Sequence, residues 1–255
     1  VVKFEPDIET SLPPVVLLPG LASVIENFKD TLIALTEKHT VYFLETREKS
    51  SSVINGKAGF SIPEIASDLP EAIRKLGLGS GSYLLAGYSL GTSVIAAAFN
   101  QIQCKPLALV LIEPSATFNW PWWLIPLAKI GAPIYPAIKP FLKWYMKTFR
   151  INTKEDKEMY EINARILDQA DPKKLALTVL AVKSFEVWNY LPKIDIPTLV
   201  IGVSQDKFHS HDEALRVSRG IAKSSYIDVL NNKRSHSAEV ATIIEEYVSK
   251  LDRDV

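Results

Sequence analysis

The sequence predicts an α/β protein: a mostly parallel sheet with helices on both faces, interrupted late by a helical insertion. Three observations carry the prediction. Short continuous apolar runs, such as Val15-Val16-Leu17-Leu18 and Leu107-Ala108-Leu109-Val110-Leu111-Ile112, suit strands covered on both faces. Stretches with apolar residues three and four apart separate these runs, the alternation that parallel crossovers require. Between residues 115 and 190 the alternation stops, and all five tryptophans fall in that interval.

Taken in order, the first strand is closed by Pro19-Gly20. A helix over Glu26 to Lys38 follows, with Ile25, Phe28, Leu32 and Leu35 in phase, and then a strand over Thr40 to Leu44. Pro63 opens a helix bearing Ile65, Leu69, Ile73 and Leu76 on one face, ended by Gly77 and Gly79. Tyr83 to Ala86 reads as strand, Ser89 to Gln101 as helix, and Leu107 to Ile112 as strand. The alternation resumes with strand Pro197–Val203, helix His211–Ile221, strand Ser225–Leu230 and helix Ser237–Leu251. Six prolines between Pro114 and Pro140 break the insertion into short pieces, whereas Thr153 to Phe185 is more regularly helical. Residues 1–114 and 191–255 thus form a core domain, and 115–190 a cap inserted between two of its strands.

Composition narrows the function. Of 255 residues 47% are hydrophobic, and the 29 basic side chains balance the 29 acidic ones. A neutral balance offers no footprint for nucleic acid, whose binding requires a clustered basic excess. The single cysteine, Cys104, can form neither an intramolecular disulfide nor a multi-thiolate metal site. Trp120 to Ile138, the most apolar stretch, contains Lys129 and four prolines and does not read as a membrane span. The chain begins Val1-Val2-Lys3, so an upstream segment is expected to have been removed. The compartment stays open, with an intracellular location favoured.

Gly87-Tyr88-Ser89-Leu90-Gly91 lies between a predicted strand and a predicted helix, the context of a nucleophile elbow. The glycines two residues either side of the serine fit so tight a turn because side chains there would strike the neighbouring strand or helix. A serine hydroxyl needs a base, and the base an orienting group. Of four histidines, His236 lies in the loop after the last strand, at the carboxyl edge where open α/β sheets bind ligands. His39 precedes a strand and is expected to be an exposed helix-end residue. His209 and His211 start a helix, as surface or capping residues. Asp206, after the strand Thr198–Val203, is the favoured acid; Glu113, ending the preceding strand, competes with it, and Asp212 belongs to a helix first turn.

With Ser89, Asp206 and His236 in that order, the chain resembles an α/β-hydrolase of the capped esterase, lipase and peroxidase-like group. Glu45-Thr46-Arg47 is similar to the acidic-x-Arg turn of that family, and Leu191 to Val200 to its re-entry from cap to sheet. Three departures stand out. Pro19-Gly20 replaces the usual His-Gly, Ser235 precedes His236 where glycine is frequent, and the strands that usually lead the fold are expected to be shortened or missing. The resemblance implies catalytic Ser89, Asp206 and His236, an oxyanion hole from the Leu21 and Leu90 amides, acyl transfer through a covalent intermediate, and no cofactor or metal. The cap, with Trp120, Trp122, Trp123 and Trp188 as expected substrate contacts and lysines interleaved among its aromatics, suits an apolar ester such as a monoacylglycerol and peripheral contact with a membrane. The same tryptophans could equally pack the cap onto the sheet. Thioesterase, lactonase, carbon–carbon bond hydrolase, haloperoxidase and ligand-binding homologue remain the alternatives.

Overall fold

The computed structural model describes residues 1–151, 157–205 and 211–251. Among these, the strands are β1 (Val2–Phe4), β2 (Val15–Leu18), β3 (Val41–Phe43), β4 (Leu84–Tyr88), β5 (Ala108–Ile112), β6 (Thr198–Gly202) and β7 (Ser224–Asp228), in the spatial order β1-β3-β2-β4-β5-β6-β7. All pairs are parallel except β1–β3, where Lys3 faces Tyr42 across an antiparallel edge. A leading strand is therefore present, though only three residues long.

The continuous apolar runs have a direct cause. Successive strand side chains point to opposite faces, and both faces are covered. Val15 and Leu17 pack toward α1 (Lys29–Thr36) and α11 (Ala238–Leu251). Val16 and Leu18 pack toward α2 (Ile62–Ala66), α3 (Leu69–Lys75), α4 (Leu90–Ala98) and α9 (His211–Arg219). The single helix expected from Pro63 is two. Ser61 and Glu64 form a capping box opening α2, and Pro70, lacking an N–H, cannot continue its ladder and instead starts α3.

Between β5 and β6 lie α5 (Leu124–Ile130), α6 (Tyr135–Tyr145), α7 (Lys157–Gln169) and α8 (Pro172–Val182). Asp171 caps α8, its carboxylate accepting from the Lys173 and Lys174 amides at 2.9 and 3.0 Å. Hydrogen bonds made by two charged side chains are among the ties between this insert and the sheet domain. Glu213 of α9 accepts from the Ala116 and Thr117 N–H groups, both at 2.7 Å. Lys174 donates to the carbonyls of Lys49 and Ser52 at 2.6 and 2.5 Å.

His39 corrects its expectation: it lies at the amino edge of the sheet but is only 1% exposed, with Nδ1 2.8 Å from the Pro13 carbonyl oxygen. Cys104, half-buried near the same edge, has its carbonyl held by the Tyr83 hydroxyl at 2.7 Å. Among the described residues no helix is long and apolar enough to cross a membrane.

Candidate active site

At the carboxyl end of β4 the chain turns from strand to helix within one residue. Ser89 makes that turn at φ 48° and ψ −114°, immediately before Leu90 begins α4. Such a backbone costs a non-glycine residue about 1–3 kcal/mol and persists only where its surroundings enforce it. Those surroundings are the flanking glycines. A Cβ on Gly91 would sit 2.6 Å from the Leu18 carbonyl oxygen, and one on Gly87 2.7 Å from Ile95 Cδ1. The Ser89 hydroxyl lies at the positive end of α4, with its Oγ 3.0 Å from Ser115 Oγ. Ala22 and Glu113 also have positive φ, 50° and 49°, so three such non-glycine residues meet around one site.

His236 ends the short α10 (Asn232–Ser235), which follows β7. Its ring packs between Phe28 and Tyr88, with centroids 5.3 and 4.9 Å away. Nδ1 is 3.1 Å from the Asn232 carbonyl oxygen. That oxygen can only accept, so the neutral ring carries its proton on Nδ1 and leaves the lone pair on Nε2. The Glu113 carboxylate, 2% exposed, has Oε1 3.8 Å from Nδ1 and accepts from Asn232 Nδ2 at 3.0 Å and from the Ser235 hydroxyl. The Tyr88 hydroxyl, its pKa pushed well up by burial, donates to the Ser235 carbonyl at 2.9 Å and anchors this turn.

Ser89, Glu113 and His236 share the wall of a cavity of about 380 Å³. Most of its remaining lining is apolar and comes from the insert: Trp120, Trp123, Leu127, Ile138, Leu142 and Val179 among others. Polar side chains also line it, among them Thr117, Asn119, Asn163 and Asn232. Both amide atoms of Asn27 and the indole Nε1 of Trp120 are buried without a hydrogen-bond partner.

No protein-family model and no curated relative matches this chain by sequence. Solved structures do match along almost its whole length. A thermophilic esterase from Thermogutta terrifontis, with malate bound, is 20% identical with a TM-score of 0.77, over 98% of this chain and 92% of that one. MenH from S. aureus is 18% identical with a TM-score of 0.79, over 98% of both chains. The enol-lactonase from Burkholderia xenovorans LB400 is 16% identical with a TM-score of 0.78, over 97% and 95%. The chain has the α/β-hydrolase fold.

In this α/β-hydrolase fold the loop after β2 approaches the elbow so closely that a Cβ on Gly20 would lie 3.3 Å from Ser89 Cβ. The Gly20 carbonyl accepts from Ser23 N–H at 3.2 Å and from the buried ammonium of Lys49, itself paired with Glu48. Gly20 C=O and Leu21 N–H belong to one planar peptide unit, so anchoring the oxygen fixes the direction of the N–H. Leu90, first residue of α4, presents an N–H with no carbonyl partner inside its helix. Residue patterns alone do not reveal Lys49 or Asn232, because their partners are distant in sequence.

The other expected site residues divide. Trp120 and Trp123 line the cavity. Trp122 does not: it is 86% exposed. Trp188 packs against the sheet domain with the Arg216 guanidinium 3.8 Å above its ring, outside the cavity lining. Asp212 occupies the first turn of α9, and His211 Nδ1 is 3.0 Å from the Tyr226 hydroxyl. Asp206 and His209 lie outside the described residues.

Proposed function

We propose that this chain is a serine hydrolase that cleaves carboxylic esters with an apolar acyl chain, such as monoacylglycerols. The observation that carries the reading is the strained Ser89 on the wall of an apolar cavity that it shares with His236. In this mechanism His236 Nε2 takes the Ser89 proton as the hydroxyl attacks the ester carbonyl. The Leu21 and Leu90 amides receive the oxyanion, the protonated imidazole returns its proton to the leaving alcohol, and water repeats the sequence on the acyl-enzyme. The insert serves as a cap whose apolar side chains hold the acyl chain. Esterases and a lactonase share the fold, which fits the reaction class without fixing the substrate.

Asp206 is the carboxylate that orients His236 in this proposal. A second reading gives that role to Glu113, on the observation that its Oε1 lies 3.8 Å from Nδ1. Asp206→Asn and Glu113→Gln separate the two: the substitution that lowers kcat about 10⁴-fold identifies the partner.

The test is a fluorophosphonate probe with a panel of acyl esters of increasing chain length. Labelling that Ser89→Ala abolishes, together with kcat/KM rising from acetyl to longer esters, is the expected result. Absence of labelling overturns hydrolysis, and a preference for acetyl esters overturns the apolar acyl chain.

A further inference from the structure

Among the described residues, α6 leaves aromatic side chains in solvent. Ile138, Leu142 and Tyr145 turn into the cavity, Phe141 flanks them with its ring 5.4 Å from that of Trp123 and is 43% exposed, and Trp144, further round the helix, is 52% exposed. The chain continues this outer surface with Phe149, and Ile130 and Trp122 stand exposed on and before α5. A surface helix of a water-soluble domain places polar side chains outward. Here exposed aromatic side chains share the outer side with lysines, and Trp144 touches Phe141 and Phe149 at centroid distances of 5.7 and 5.6 Å.

Charge indicates what covers it. Between Glu113 and Glu155 the sequence contains no acidic residue, but it contains Lys129, Lys139, Lys143, Lys147, Arg150 and Lys154. The chain as a whole is neutral, so this concentration is local. Lys139 and Lys143 pair with Asp168 of α7 at 3.1 and 2.6 Å, whereas Lys129 and Lys147 are exposed, Lys147 with its ammonium 6.0 Å from the Tyr160 ring centroid. We infer that this face docks on the surface of an anionic lipid bilayer. Trp144, Trp122 and Phe149 enter the headgroup boundary, where amphipathic rings are favoured, and the lysines meet lipid phosphates. The helix that lies on the membrane is then also a wall of the cavity, so a lipid leaving the bilayer has a short path into it. Docking itself requires no hydrolysis.

The test is sedimentation of the full chain with vesicles of phosphatidylcholine alone or mixed with phosphatidylserine. Binding is expected to the mixed vesicles, to weaken as salt rises, and to shift tryptophan emission to the blue. Trp144→Ser with Phe149→Ser should lower partitioning about tenfold or more. Lys129→Glu with Lys147→Glu should lower it at least about 25-fold, since each cation near an anionic surface contributes roughly a fivefold factor. Both variants alter exposed positions and should keep wild-type turnover of a short, soluble ester, so loss of docking is distinguishable from failure of the proposed hydrolysis. Wild-type protein that ignores both vesicles, or variants that bind like wild type, overturn the inference. So does a dimer in solution that the serine variant dissociates while vesicle binding is absent, because a second copy then covers the face.

Discussion

Gly91 has a carbonyl where any side chain would begin, since its absent Cβ would lie 2.6 Å from the Leu18 oxygen. Gly91→Ala is expected to destabilise the chain by about 2–3 kcal/mol, measured by denaturant unfolding, and to reduce probe labelling of Ser89. Lys49 acts at longer range. With Lys49→Met the Gly20 peptide loses its buried cation and the Leu21 N–H its fixed direction. The expected outcome is a fall in kcat of about ten- to a hundredfold, KM little changed, with Lys49→Arg partly restoring kcat; removing an oxyanion donor outright costs somewhat more. Equal loss in KM, or no loss, would set Lys49 aside as a packing residue. Ser89 and His236 are legible in the sequence because local constraints write them: two glycines around a turn, and a histidine after the last strand. Lys49 and Asn232 are not, because what they touch is decided only when separate loops converge.

Besides apolar packing, individual side chains hydrogen-bond the insert to the sheet domain, and this makes its attachment testable at the level of elements. Glu213 of α9 receives two backbone amides at the start of the insert, so Glu213→Ala leaves both donors unsatisfied. A loss of about 2–3 kcal/mol is expected, seen as a fall of several degrees in Tm; an unchanged Tm would show that water replaces the carboxylate. Periodicity located nearly every strand within one or two residues, since a run covered on both faces has no polar interruptions to blur it. It merged α2 with α3, because the apolar positions stay in phase across Pro70 while the hydrogen-bond ladder does not. The buried His39 was misread for a related reason: its partner, the Pro13 carbonyl, comes from another segment of the chain. The tryptophans were also ambiguous, since composition says that aromatic side chains cluster but not which way each one turns. Trp120 and Trp123 turn to the cavity, Trp188 packs on the sheet domain, and Trp122 faces water.

Across the whole molecule, insert residues supply most of the apolar cavity wall, whereas Ser89, Glu113 and His236 stand at the carboxyl edge of the sheet. A medium-chain fatty acid should therefore stabilise Ser89→Ala as much as wild type, by about 2.7 kcal/mol at a hundred times its Kd, read as matching rises in Tm. Stabilisation lost with the serine would place the ligand elsewhere. The lone thiol of Cys104 sits near the amino edge of the sheet, while every indole belongs to residues 115–190. A dye attached at position 104 thus becomes an energy-transfer acceptor for tryptophan emission that arises only in the insert, giving an optical ruler from the amino edge of the sheet to the insert with no engineered mutation.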